Sequence, residues 1–215
     1  MSLLLLVPAD HRVRRFVQLY LGLALYGVGT ALLVRSELGL DPWDVLHQGT
    51  AERTGMTIGI STVAWSAVVL LLWIPLRQRP GLGTISNAIL VGLAVDATLQ
   101  VLPELDSLVW RSAALGGGVL SIGVATGAYI GAGMGPGPRD GLMTGVAARG
   151  HSIRVVRTAL EVTVLALGWL MGGTVGIGTL IFALSIGPLA HVTIPAFTIG
   201  RAEPAQPPEG HAGLL

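Results

Sequence analysis

The chain of 215 residues contains no cysteine. Disulfides, thiolate metal sites and cysteine nucleophiles are excluded, and nothing follows about compartment. Lysine is absent too, since all 13 basic residues are arginine, set against 12 acidic ones for a formal net charge of +1. No basic surplus exists to hold a polyphosphate backbone, so nucleic acid is not an expected partner. Charge of either sign is scarce, at 12% of residues, where soluble domains carry about a quarter. The signatures GxSxG, HExxH and Walker A are missing, as is a carboxylate-rich metal cluster. The chain is therefore not read as an enzyme, and no cofactor is expected.

What is present is apolar. Hydrophobic residues make up 52% of the chain, the mean hydropathy is +0.71, and glycine, at 31, suits closely packed membrane helices. A spanning helix needs about 20 apolar residues. Six stretches qualify: Phe16–Val34, Ile58–Leu76, Leu82–Leu102, Ser112–Met134, Ile153–Met171 and Ile177–Thr198. The fold class expected is an all-α polytopic membrane bundle. Its parts are an N-terminal cytoplasmic segment (residues 1–15), two membrane units (16–102 and 112–199) and a disordered tail (200–215). Leu3–Val7 is too short, and precedes its arginines, so it is not a signal peptide. Arg12, Arg14, Arg15, Arg77, Arg79, Arg139, Arg149, Arg154 and Arg201 fall on one side of such a bundle, and only Arg35, Arg53 and Arg111 on the other. This bias predicts that both termini are cytoplasmic.

The two halves resemble each other. Gly39-Leu-Asp-Pro-Trp-Asp44-Val-Leu matches Gly135-Pro-Gly-Pro-Arg-Asp140-Gly-Leu at an offset of 96. Beyond one dropped residue, Gly81-Leu-Gly-Thr84 matches Gly176-Ile-Gly-Thr179 at an offset of 95. With three spans per copy, the second copy enters the membrane from the opposite side, an inverted repeat of the kind found in many transporters. Each linker carries helix punctuation: Pro42 or Pro138 as first helical residue, Asp41 or Gly137 as cap, Gly55 or Gly150 as stop, and Thr57 or Ser152 capping the next span. A short helix is predicted in each copy, either re-entrant or lying along the interface.

The motifs Gly-Leu-Asp-Pro-Trp-Asp-Val-Leu-His-Gln-Gly, Arg-Gln-Arg-Pro-Gly-Leu-Gly-Thr-Ile-Ser-Asn at 77–87 and Gly-Pro-Gly-Pro-Arg-Asp-Gly-Leu-Met-Thr-Gly resemble the YczE/YitT family of bacterial membrane proteins, on the YczE side. The resemblance runs from about Phe16 to Phe197. It implies a multi-spanning protein of the bacterial inner membrane, with largely unassigned activity. The soluble C-terminal domain of longer YitT-type members is not expected here.

Candidate residues for a solute or ion path follow from intramembrane polarity. Asp96 lies within the third span, where it either faces the bundle interior or is solvated near its end. Its repeat partner is His191, better explained as a satisfied core or interface residue. Asn87 begins the segment that leads to Asp96. Glu161 has Arg157 one turn earlier, as an internal ion pair or a solute site. Asp44 and Asp140 are explained by helix capping. If the short helices are re-entrant, their N-termini form an ion site, with Arg139 as an anion contact. On an interfacial placement Trp43 is a boundary aromatic. His47 is expected to be solvated. Gly123, Gly127, Gly131 and Gly135 form overlapping GxxxG steps, expected to pack the fourth span on the first, with a homodimer interface as the alternative. The expected partners are the lipid bilayer and an unidentified small polar or ionic solute. The expected function is transport or conduction, with a membrane accessory or scaffold protein as alternative and a membrane enzyme ranked last.

Overall fold

The computed structural model describes residues 7–200, and the expectations for residues 1–6 and for the 201–215 tail lie outside it. Eight helices are found: α1 (Arg12–Ser36), α2 (Pro42–Thr54), α3 (Ile58–Leu76), α4 (Leu82–Val101), α5 (Leu108–Gly131), α6 (Pro138–Ala147), α7 (Ile153–Leu170) and α8 (Ile177–Phe197). No strand occurs among the described residues. Five helices, α1, α3, α4, α5 and α8, are long and apolar enough to cross a membrane. The expected fifth span, α7, is not among them. It has 18 residues but carries Arg154, Arg157 and Glu161.

The punctuation mostly works as its chemistry requires. Asp41 Oδ1 accepts from the Trp43 and Asp44 amides at 2.8 and 2.9 Å, capping α2. Gly55 ends that helix at φ 72, a conformation that favours glycine. Thr57 caps α3 by accepting from the Ile60 amide. Ser152 makes no such bond, and α6 stops at Ala147, before the expected Gly150.

The helices are joined by contacts at matching repeat positions. Gly39, at φ 118, lies against Gly176 and Thr179, and Gly135, at φ 114, lies against Gly81 and Thr84. The Gly178 amide donates to Leu38 O and the Gly83 amide to Met134 O. Arg15 donates to Ala132 O, Arg111 to Ser36 O. Arg53 bonds Leu170 O at the end of α7, and Arg149 bonds Pro75 O near the end of α3. A cation at a helix C-terminus meets unsatisfied carbonyls and the negative end of the dipole. Outside the helices, the Arg15 hydrogen bond holds the Asp10 carboxyl below its ordinary range.

Glycines permit the closest approaches. Gly22, Gly29 and Gly118 let α1 cross α5, and Gly27 seats α1 on α4. Gly123, Gly127 and Gly131 meet Leu189, Thr193 and Phe197 of α8. This corrects the expectation that the stripe packs the fourth span on the first. Gly135 lies beyond the helix, in the turn that docks on α4.

One match fails. α3 and α4 pack together so closely that a Cβ on Gly59 would collide with Gly92 O. The corresponding α7 and α8 do not form a packed pair. The repeat counterpart of Gly59 is Arg154, which cannot approach a helix backbone so closely, and Gly187, the counterpart of Gly92, faces open space.

Candidate functional site

The short helices carry their N-terminal ends into the bundle interior. Along α2, Pro42 to His47 is buried, while Glu52 to Gly55 is exposed. α6 likewise begins buried at Gly137 and Pro138, and the residues that follow it, 148–150, are exposed. Pro at the first helical position leaves no unsatisfied amide there; in α2 the Asp41 side chain takes the next two amides, whereas α6, begun at Gly137, has no side-chain cap.

Around these ends sits a polar cluster. Thr30 Oγ1 donates to Asp44 Oδ2 at 3.1 Å. His47 Nδ1 lies 3.0 Å from Asp44 Oδ1 and 3.2 Å from Thr62 Oγ1. The Tyr129 hydroxyl donates to Asp140 Oδ2 at 2.5 Å. The Arg139 guanidinium lies 5.8 Å from the Tyr26 ring centre and 5.7 Å from that of Trp43, a double cation–π contact. Its nitrogens are 3.5 Å from Asp41 Oδ1 and 3.9 Å from Asp44 Oδ1. Trp43 and Arg139 occupy matching repeat positions, so the sequence difference between the copies places an aromatic opposite a cation.

A cavity of about 180 Å³ adjoins the cluster. Its polar side is formed by Asp41, Trp43, Asn87, Tyr129, Arg139 and Asp140, and its apolar side by Phe182, Ile186, Ala190 and Ile194 of α8. Arg157 and Glu161 of α7 complete it, joined by a hydrogen bond of 2.8 Å with side chains 49% and 29% exposed. The cavity thus reaches the surface where α7 and α8 diverge.

Five sequence candidates therefore share one cavity: Asn87, Arg139, Asp140, Arg157 and Glu161. Asp44 adjoins it through Arg139. Asp96 and His191 are elsewhere. Asp96 accepts from Thr57 Oγ1 at 2.5 Å and from the Gly59 amide at 2.8 Å, clamping α4 on the start of α3. His191 is exposed on α8. Asp96→Asn is therefore expected to lower thermal stability, by about 1 kcal/mol for a charged acceptor replaced by a neutral one. An unchanged or raised midpoint in detergent would show that the carboxylate contributes nothing to the clamp.

Other expectations need correction. His47 is 2% exposed rather than solvated, and Trp43 is 6% exposed rather than at a boundary. A signal was available for His47: with Asp44 three residues earlier it shares one face of a capped helix. Tyr26 and Tyr129 carried none, being aromatics inside apolar runs. The site is acid-rich, because Asp41, Asp44 and Asp140 surround one guanidinium. Two helix N-termini, each worth roughly half a positive charge, offset part of the excess. Among the described residues, no His, Asp and Glu group has the geometry to hold a metal ion.

Comparison with known proteins places the chain in a family. The description "Family of unknown function (DUF6198)" matches residues 13–195. An "Uncharacterized protein" of Haemophilus influenzae is 45% identical over 170 residues, covering 79% of this chain and 78% of that protein. The "Uncharacterized membrane protein YczE" of Bacillus subtilis is 31% identical over 190 residues, 85% of this chain and 86% of that one. The "Uncharacterized protein YyaS" of the same organism is 30% identical over 182 residues, 81% and 90%. No solved structure matches. The helical apolar fold and these relatives make this a membrane protein, and the chain belongs to the DUF6198 family, on the YczE-like side that its motifs indicated.

Proposed function

We propose that the protein is a small carrier or channel for a polar or ionic solute. Six spans form two inverted three-helix repeats, each with a re-entrant half-helix, and both termini are cytoplasmic in the bacterial inner membrane. The observation that carries this is the meeting of the α2 and α6 N-termini beside a cavity lined by Arg139, Asp41 and Asp140. Half-helices aimed at an interior site between two repeats are a recurrent way to bind ions and polar solutes. The matched contacts of Gly39 and Gly135, and of Arg53 and Arg149, support a two-fold relation between the copies that is broken where α7 stands off α8. With α7 counted as a span, its ion pair faces the cavity mouth and partly neutralises itself.

Two measurements test the proposal. Arg53→Cys and Arg149→Cys, in a chain without native cysteine, are expected to react with impermeant reagents from opposite sides. Labelling from one side only would end the inverted arrangement. Flux into proteoliposomes, measured by current on a supported membrane for amines, amino acids, organic acids and inorganic ions, is expected to be saturable for one class. It is expected to be lost in Asp140→Asn. Absence of flux for every class would favour the accessory or scaffold role.

A further inference from the structure

We infer that the cavity takes a small organic cation, an amine or guanidinium on a compact apolar body, which enters between α7 and α8 and places its charge against Asp41; this rests on reading the cavity as a solute site. Asp41 is 2% exposed and lines the cavity. Its Oδ1 serves the α2 cap and faces Arg139, but its Oδ2 is buried with no hydrogen-bond partner. A buried carboxylate oxygen without a donor is rare and costly, so an N–H group that reached it, by a small shift of the lining as a solute seats beside Asp41, would be stabilised there.

Arg139 does not fill that place. Its nitrogens stand 3.5 and 3.9 Å from the nearest carboxylate oxygens, beyond the roughly 2.7–2.9 Å of a charge-assisted bond. Its guanidinium is held instead between the Tyr26 and Trp43 rings. Three carboxylates against one guanidinium leave the interior short of positive charge, and an anionic solute would deepen that deficit. A bare metal ion fits poorly, because the α8 wall supplies no oxygen ligand. The apolar residues Phe182, Ile186 and Ile194 instead suit a hydrocarbon body. At roughly 30 Å³ per water-sized group, the cavity of about 180 Å³ accommodates roughly six such groups.

The entrance follows from the broken match between the copies. Gly59 and Gly92 close α3 on α4, whereas Arg154 stands where a glycine would be needed to close α7 on α8. Arg157 and Glu161 at that opening form a pair with no net charge, so they do not repel a cation.

Purified protein in nanodiscs is titrated with butylammonium, phenethylammonium and guanidinium, and with the matched butyrate, butanol and leucine. Tryptophan fluorescence and the unfolding midpoint are the readouts. The ammonium probes are expected to bind and raise the midpoint, while butyrate and butanol do not. Asp41→Asn keeps a competent helix cap and is expected to weaken ammonium binding roughly tenfold or more. Ala190→Trp, on the half-exposed cavity wall, is expected to block binding in a folded protein. Preference for butyrate, butanol or leucine, unchanged binding in Asp41→Asn, or no binding of any cation overturns the inference. Cation binding without flux of any solute would uphold it and sink transport. Flux of an anion without cation binding would do the reverse.

Discussion

Gly127→Leu and Gly131→Leu are expected to deplete folded protein, while Gly116→Leu on the same helix leaves yield and thermal midpoint close to wild type. A Cβ on Gly127 would lie 2.5 Å from the Thr193 Cβ and 2.7 Å from its backbone carbonyl. On Gly131 it would lie 2.5 Å from the Phe197 carbonyl oxygen. These neighbours are largely main chain and cannot swing aside, so α8 must move off α5. The Gln18 bond to Phe197 O and the Arg15 bond to Ile199 O would move with it. Overpacking by one or two methylenes costs about 1–3 kcal/mol, and a leucine adds more than that at each site. Gly116 has no atom within 4 Å of its would-be Cβ. Gly172 is also open but sits at φ 106, where any side chain is strained, so it is the poorer control. Equal midpoints for all three leucine variants, by nanoscale fluorimetry in detergent, would contradict the α5–α8 packing.

Replacing Arg139 by methionine is expected to destabilise the protein by about 3 kcal/mol, the scale for removing one partner from a buried ion pair. Asp41 and Asp44, with side chains 3% and 1% exposed, would face each other without their cation. Protonation of one carboxylate limits the loss, so the variant is expected to be least impaired at low pH. Arg139→Lys is expected to recover only part of the stability. An ammonium is a compact point charge and cannot stack between two rings as a planar guanidinium does. Asp44→Asn in the Arg139→Met background is expected to restore part of the midpoint. If Arg139→Met melts like wild type across the pH range, the guanidinium is not what balances the interior, and the charge argument for a cationic solute loses its basis.

Much of the local structure was legible in order and in kind. Apolar runs bounded by Arg, Gly and Pro marked the spans, because in lipid a backbone must satisfy its own hydrogen bonds within a helix. Pro42 behind Asp41, and Pro138 behind Gly137, marked the short helices, because proline's fixed φ and missing amide suit the first helical position. Where expectation and structure part, non-local contacts decided. Ser152 does not cap α7, and Asp96, suspected of facing a solute path, clamps two helices.

By itself the sequence determined that the protein is a membrane helix bundle, that its halves share one pattern of glycines, prolines and carboxylates, and that Arg157 and Glu161 lie on one helical face. These depend on composition and on spacing within single helices, which the 3.6-residue period converts directly into faces. Only the tertiary structure decided that Trp43 would meet Arg139, that Asp41 Oδ2 would be left without a donor, and that α7 would stand apart from α8. Those outcomes depend on which helices lie side by side. A span that is apolar all round does not announce its neighbours, and the glycine of the closed pair, Gly59, is replaced by Arg154 in the open one.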